Sequence, residues 1–181
     1  MAQRWADFLA VARPHVDWTE VGRVLALDPG ETTGWALFAE GLLVECGQWD
    51  TMNPADLADD VAEVYNRYGG LDHLVYEEYR IRGNKAQEHI GSEVLTIQHI
   101  GAVKVVAAEL DVRLTKQTAG MAKGFATDPK LRRWGLWQTG LRHSNDAVRH
   151  QVYYHLFNAG RKQPRATWRD DGDTDDRSTS D

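Results

Sequence analysis

The sequence predicts an α/β domain, a five-stranded mixed sheet that begins with three antiparallel strands and is flanked by helices. Three observations predict it. Apolar runs bounded by turn residues occupy residues 23–28, 33–38 and 42–49, with connections too short to hold a helix. Two further short runs, at 74–78 and 112–114, are separated by helical periodicity. The length of 181 residues suits one domain and is too short for two well-cored ones.

Residues 1–20 read as a helical extension, in which Trp5, Phe8, Leu9 and Ala12 share a face and Pro14 ends or kinks the helix. The run Val24-Leu25-Ala26-Leu27-Asp28-Pro29-Gly30 is a buried strand stopped by a turn. Ala39-Glu40-Gly41 forms a hairpin loop between the second and third strands. Asn53-Pro54 opens a helix that runs to about Tyr68 and ends at Gly69-Gly70. After the fourth strand comes a basic loop at 80–85, and then Ile90, Val94, Ile97, Gly101, Val105 and Ala108 give residues 87–110 a helical repeat. The short fifth strand precedes a helix at 128–137, opened by Asp128-Pro129, and a last helix at 145–157, closed by Gly160. The domain thus spans 21–160, and the Arg/Asp/Ser/Thr-rich residues 161–181 form an acidic tail expected to be disordered.

Hydrophobic residues make up 42% and charged residues 27% of the chain, a globular composition. No apolar run reaches the roughly 18 residues of a membrane span, so no membrane partner is expected. Residues 1–17 lack a signal-peptide core, because Arg4, Asp7, Arg13 and Asp17 interrupt their apolar residues. The single cysteine, Cys46, excludes an internal disulfide framework and suits a reducing cytoplasm.

The net charge of −6 argues at first against a nucleic-acid partner. It is unevenly distributed. Residues 1–79 carry 4 Lys/Arg against 15 Asp/Glu, a net of −11, and residues 80–169 carry 16 against 6, a net of +10. The last twelve residues add −5. Such asymmetry is a hint of polyanion binding, although charge also serves solubility.

Several acids fall where a sheet presents its ligands. Asp28 ends the first strand just before a Pro-Gly turn, which is either turn chemistry or a carboxylate aimed into the crevice beyond the strand ends. Glu77 and Glu78 end the fourth strand, and alternation lets only one of them face a given side. His143, Asp146 and His150 are spaced i, i+3, i+7 and share a helical face, where Asn145 and Asp146 could equally cap the helix and His150 could be a partly buried histidine. Zinc is a competing idea on a histidine-bearing face, but Asp28, Glu77 and Asp146 are hard oxygen donors that suit Mg²⁺ or Mn²⁺ better. Acids brought into one cleft repel unless a cation neutralises them, and two such ions can clamp the attacking and leaving oxygens of a phosphodiester. Converging acids beside a basic half-chain read as a metal-dependent nuclease.

Four motifs carry a family resemblance: Val24-Leu-Ala-Leu-Asp28-Pro-Gly-Glu-Thr-Thr-Gly34-Trp35, Leu74-Val-Tyr-Glu77-Glu78-Tyr79, Lys116-Gln-Thr and His143-Ser-Asn-Asp146-Ala147. In this order and spacing the chain, over residues 23–157, resembles the RuvC-type Holliday junction resolvases, most closely their bacteriophage-encoded relatives. The resemblance implies a ribonuclease-H-like fold, two Mg²⁺ or Mn²⁺ ions per site, paired symmetric nicks in a four-way DNA junction, and a homodimer. It makes Asp28, Glu77 and Asp146 the catalytic, metal-binding carboxylates. His143 stands where bacterial members often carry another Asp and is a further candidate catalytic residue, able to ligate a metal, contact the leaving group or position water. Lys116, read as following the fifth strand, matches a lysine near the scissile phosphate. The apolar helix at 90–110 is a candidate dimer element, though packing on the sheet would explain it equally.

For DNA the basic residues Arg80, Arg82 and Lys85 follow the catalytic strand, and Lys123, Lys130, Arg132 and Arg133 form a second group able to grip phosphates. Tyr79 is placed either to stack on an unpaired base or to pack in the core. Three other readings compete. The Asp28-to-Gly34 run also resembles the phosphate loop of actin-like sugar kinases, which need two lobes. A DNA-binding protein that had lost catalysis is opposed by the presence of all three carboxylates. A ribonuclease-H-like nuclease acting on other branched DNA, flaps or RNA–DNA hybrids would use the same chemistry.

Overall fold

The structure is a computed structural model that describes residues 3–79 and 90–160, the side chains of 90–93 apart. Helices α1 (Gln3–Ala12) and α2 (Trp18–Val21) precede strands β1 (Arg23–Asp28), β2 (Thr32–Ala39) and β3 (Leu42–Asp50). Helix α3 (Pro54–Arg67), strand β4 (His73–Glu78), helix α4 (Ile90–Glu109) and strand β5 (Arg113–Thr118) follow. Helices α5 (Ala119–Phe125), α6 (Asp128–Trp134) and α7 (Arg142–Phe157) complete the described chain. Among the described residues no helix is long and apolar enough to cross a membrane.

The sheet order is β3-β2-β1-β4-β5. Strands β1, β2 and β3 pair antiparallel, whereas β4 runs parallel to both β1 and β5. This is the five-stranded mixed sheet the sequence predicts. The β2–β3 hairpin turns on Glu40 and Gly41, with φ of 50° and 80°, the pair of positive angles that a tight two-residue turn requires.

Strand alternation sorts the side chains between two layers. Leu25, Leu27, Trp35, Leu37, Leu74 and Tyr76 point into a core closed by α3 and α4. Val24, Ala26, Ala36, Phe38 and Val75 point to the other side, which α7 covers with α1 and α6. Helix α1 belongs to this second layer. Trp5 is fully buried beside Trp134 and donates its indole N–H to the Gly41 carbonyl at 2.8 Å. Just past α1, the Arg13 guanidinium donates to the His155, Leu156 and Ala159 carbonyls at the end of α7.

Several element boundaries differ from expectation. Helix α6 stops at Trp134 rather than 137, because Gly135 takes the left-handed conformation, φ 74°, that closes a helix. Helix α7 begins at Arg142, so Asn145 and Asp146 lie inside it and do not cap it. One of its first-turn N–H groups finds a distant partner instead: Gln48 of β3 accepts from the His143 amide at 2.9 Å. Strand β5 extends to Thr118 and therefore contains Lys116, which was expected to follow the strand. Helix α5 has no counterpart among the expected elements.

Candidate active site

Parity brings the acids together. Asp28 continues the Val24–Ala26 side of β1, and Glu77 continues the Val75 side of β4, so both emerge at the strand ends under α7. Asp146 descends from the second turn of α7. Each side chain is largely enclosed, with side-chain exposures of 13% for Asp28, 18% for Glu77 and 12% for Asp146. Helix α7 reaches this position because β2 carries no side chain at Gly34, the residue paired with Asp28. A Cβ there would lie 1.9 Å from the His143 carbonyl oxygen.

Basic groups hold these carboxylates. His143 Nδ1 lies 3.2 Å from Asp28 Oδ2. The Lys123 ammonium, on α5, bridges Glu77 Oε2 at 3.1 Å and Asp146 Oδ2 at 3.2 Å. Arg149 pairs with the other oxygen of Asp146, with Asp128 at the start of α6, and with the Ala126 carbonyl at 3.0 Å. His150, fully buried, bridges Glu77 Oε2 and Gln117 Oε1 at 2.9 Å each.

The protonation balance follows from this arrangement. Burial raises the Asp28 carboxyl above its ordinary range against the opposing His143 hydrogen bond, and the charges of Glu77 and Asp146 add to the rise. Burial also pushes Glu77 upward, but the hydrogen bond from His150 and the nearby Lys123 outweigh it and its net shift is downward. Lys123 loses hydration by burial, yet the carboxylates Asp28, Glu77 and Asp146 hold its pKa above the usual value. The hydrogen bond to Asp28 likewise raises His143.

The donor set suits a hard divalent cation: three carboxylates in one recess, with the Lys123 ammonium as the counter-charge they share among the described residues. Among the described residues no three acidic, histidine or cysteine side chains form a ready-made cage, and Lys123 and Arg149 occupy both oxygens of Asp146. A metal would be held by Asp28, Glu77 and Asp146 in exchange for the ammonium of Lys123, with His143 alongside. A cleft of about 830 Å³ adjoins Asp146, lined by Lys123, Trp137, Arg142, Asn145 and Arg149 among others. Asn145 shapes its wall by accepting from the Gln138 amide and donating to the Gln138 and Leu141 carbonyls.

Not every expected residue joins this recess. Lys116 pairs with Tyr76 in register, so its side chain turns to the α3/α4 side of the sheet and meets Glu78 at 2.8 Å. The ammonium expected beside the carboxylates is instead that of Lys123, which the sequence placed among DNA-binding residues. Lys130 donates to the Phe125 carbonyl at 2.7 Å and lies over that ring, Arg132 stacks on Trp137 with 4.1 Å to the centroid, and Arg133 is exposed on α6. Tyr79 is half-buried just past β4, and Arg80, Arg82 and Lys85 fall outside the described residues. Sequence reasoning missed Arg149, Gln117 and the partnership of His150. Their signal was a buried helix that carries Arg149, His150 and Gln151 in succession where an apolar stretch would be cheaper.

No protein-family model matches the chain, and no curated protein sequence does. Solved structures do. RuvC of Thermus thermophilus in complex with a Holliday junction substrate superposes with a TM-score of 0.61 at 17% identity, over 75% of this chain and 94% of that one. A second Thermus thermophilus RuvC structure gives 0.58 at 18% identity with the same coverage. The fold is ribonuclease-H-like. Within the ribonuclease-H-like sheet of this chain, the acids sit at the ends of the two central neighbours, β1 and β4, and on the helix that crosses them.

Proposed function

We propose that the chain is a divalent-metal-dependent endonuclease that resolves four-way DNA junctions by paired symmetric nicks, acting in the cytoplasm as a homodimer of the bacteriophage type. The observation that carries this reading is the convergence of Asp28, Glu77 and Asp146 from three separate elements around one ammonium. Bound Mg²⁺ or Mn²⁺, two per site, would supply an activated water and stabilise the departing 3′ oxygen. Asp28 and Glu77 present the negative charge that retains such ions, and His143 restrains Asp28 from the side of α7. Lys123, released from the acids, carries a positive charge within reach of the scissile phosphate, the task the motif resemblance assigns to Lys116.

The likeness to a junction-bound RuvC supports the choice of branched DNA. Lys123, Arg142 and Arg149 give the adjoining cleft a basic lining suited to a phosphate backbone, and Arg132 and Arg133 extend positive charge along α6. Arg80, Arg82 and Lys85, directly beyond the catalytic strand, complete the proposed grip. A homodimer matches the two equivalent strands of a junction. Helix α4 offers a face for it, since Val94, Ile97 and Val105 are nearly half exposed on one side of the helix.

The test is cleavage of end-labelled four-way junction, flap, RNA–DNA hybrid and linear duplex with Mg²⁺ or Mn²⁺ and with chelator. The reading expects paired nicks near the junction centre that vanish with chelator and in Asp146→Asn. Linear duplex cut as fast as junction overturns the resolvase and leaves the nuclease. Undiminished cutting by Asp146→Asn overturns the site.

A further inference from the structure

We infer that His150, braced by Gln117, is a positioning residue that fixes the orientation of Glu77 for cation binding. This rests on the metal-dependent reading above. His150 lies one helical turn beyond Asp146 on α7, is fully buried, and reaches across to the ends of two adjacent strands. Its Nε2–H donates to Glu77 Oε2 at 2.9 Å, because a carboxylate only accepts. Its Nδ1 lies 2.9 Å from the Gln117 amide, and Gln117 is the β5 residue in register with Glu77. The amide has a second buried end, Nε2, with no hydrogen-bond partner among the described residues, so it can meet Nδ1 with either end and hold the ring in both cases.

The arrangement divides the labour between the two oxygens of Glu77. Oε2 takes both protein contacts, from His150 and from Lys123, whereas Oε1 has no partner among the described residues. Lys123 is more than a third exposed, while His150 is fully buried between α7, β4 and β5. With a metal in place of the ammonium, His150 would be the contact among the described residues that fixes the carboxylate plane. Outer groups of this kind orient a ligand and tune the affinity of its metal. A purely structural role is a poor alternative, because an apolar residue would fill the same buried space without needing two polar partners.

The experiment compares wild type, His150→Phe, His150→Gln and Gln117→Met as full-length chains. Mn²⁺ affinity is measured by titration calorimetry without DNA, junction affinity by anisotropy in chelator, single-turnover cleavage with Mn²⁺, and folding by thermal melting. We expect His150→Phe to weaken Mn²⁺ binding and slow cleavage by about tenfold or more, with junction affinity in chelator unchanged. His150→Gln, whose amide can still donate to Oε2, recovers most of both losses. Gln117→Met shows the same pattern more weakly and stands in if His150→Phe does not fold. A folded His150→Phe, or Gln117→Met in its place, with wild-type Mn²⁺ affinity overturns the inference and leaves the nuclease reading intact. So does an equal loss of junction affinity in chelator, which marks a general structural defect. Wild type that neither binds Mn²⁺ nor cuts DNA overturns the parent reading and this inference with it.

Discussion

Gly34 and His143 meet backbone to backbone: the space a Gly34 side chain would need is already filled by the His143 carbonyl. Helix α7 can therefore lie close enough to β2 for His143 to reach Asp28. Gly34→Ala forces the helix outward, and we expect it to cost about 1–3 kcal/mol of stability. Displacing His143 and Asp146 by even about 1 Å is expected to slow junction cleavage by about a hundredfold. Urea denaturation and single-turnover cleavage check the two parts, and a folded variant of wild-type activity would remove the close approach as a requirement.

On the metal-dependent reading, Lys123 and a metal compete for the same oxygens of Glu77 and Asp146. In Lys123→Met the carboxylates lose the counter-charge they share among the described residues, so Mn²⁺ is expected to bind more tightly than in wild type while cleavage falls by about tenfold or more. Calorimetry and cleavage should move in opposite directions. Weaker Mn²⁺ binding in the variant would contradict the exchange.

The proposed dimer face is tested by charge. Ile97→Asp and Val105→Asp place a carboxylate on the exposed side of α4, and neither residue belongs to the catalytic recess. Sedimentation should show the mass shift from dimer to monomer without loss of thermal stability. A wild-type chain that sediments as a monomer at micromolar concentration refutes the homodimer.

Acid is expected to destabilise the fold through histidines remote from the carboxylate cluster. Burial holds His73 down to about 3 and His155 down to about 4. Both stay neutral in the native state where the unfolded chain, with an ordinary histidine pKa near 6.5, takes up protons. Their stabilising contribution is complete above about pH 6.5 and is lost progressively as pH falls toward 4. With both titrating, the slope approaches about 2.7 kcal/mol per pH unit. Urea midpoints from pH 7 to 4.5 measure it, and His155→Phe should roughly halve the slope.

Asp28 and Glu77 were legible because each ends an apolar strand whose alternation is plain in the residues themselves. The same alternation distinguishes Glu77 from Glu78, and the ion pair of Glu78 with Lys116 on the opposite side agrees. Lys116 was harder to place, since the second half of β5 reads Lys-Gln-Thr and offers no hydrophobic pattern to extend the strand. Helix α5, Ala-Gly-Met-Ala-Lys-Gly-Phe, contains two glycines in seven residues, so propensity hides the element that delivers Lys123. The start of α7 was obscured for a different reason. Its second amide, that of His143, is satisfied by Gln48, 95 residues earlier, and no side-chain cap marks the boundary.

The clamp of Arg13 on the last carbonyls of α7 ties the beginning of the chain to the far end of the helix that bears His143 and Asp146. At about 1.5 Å per residue, that helix is a rod roughly 24 Å long. One end is seated in the recess and the other is gripped from residue 13. The segment from Gln3 to Arg13 is thereby tied to the helix that carries His143 and Asp146, at the end remote from the recess.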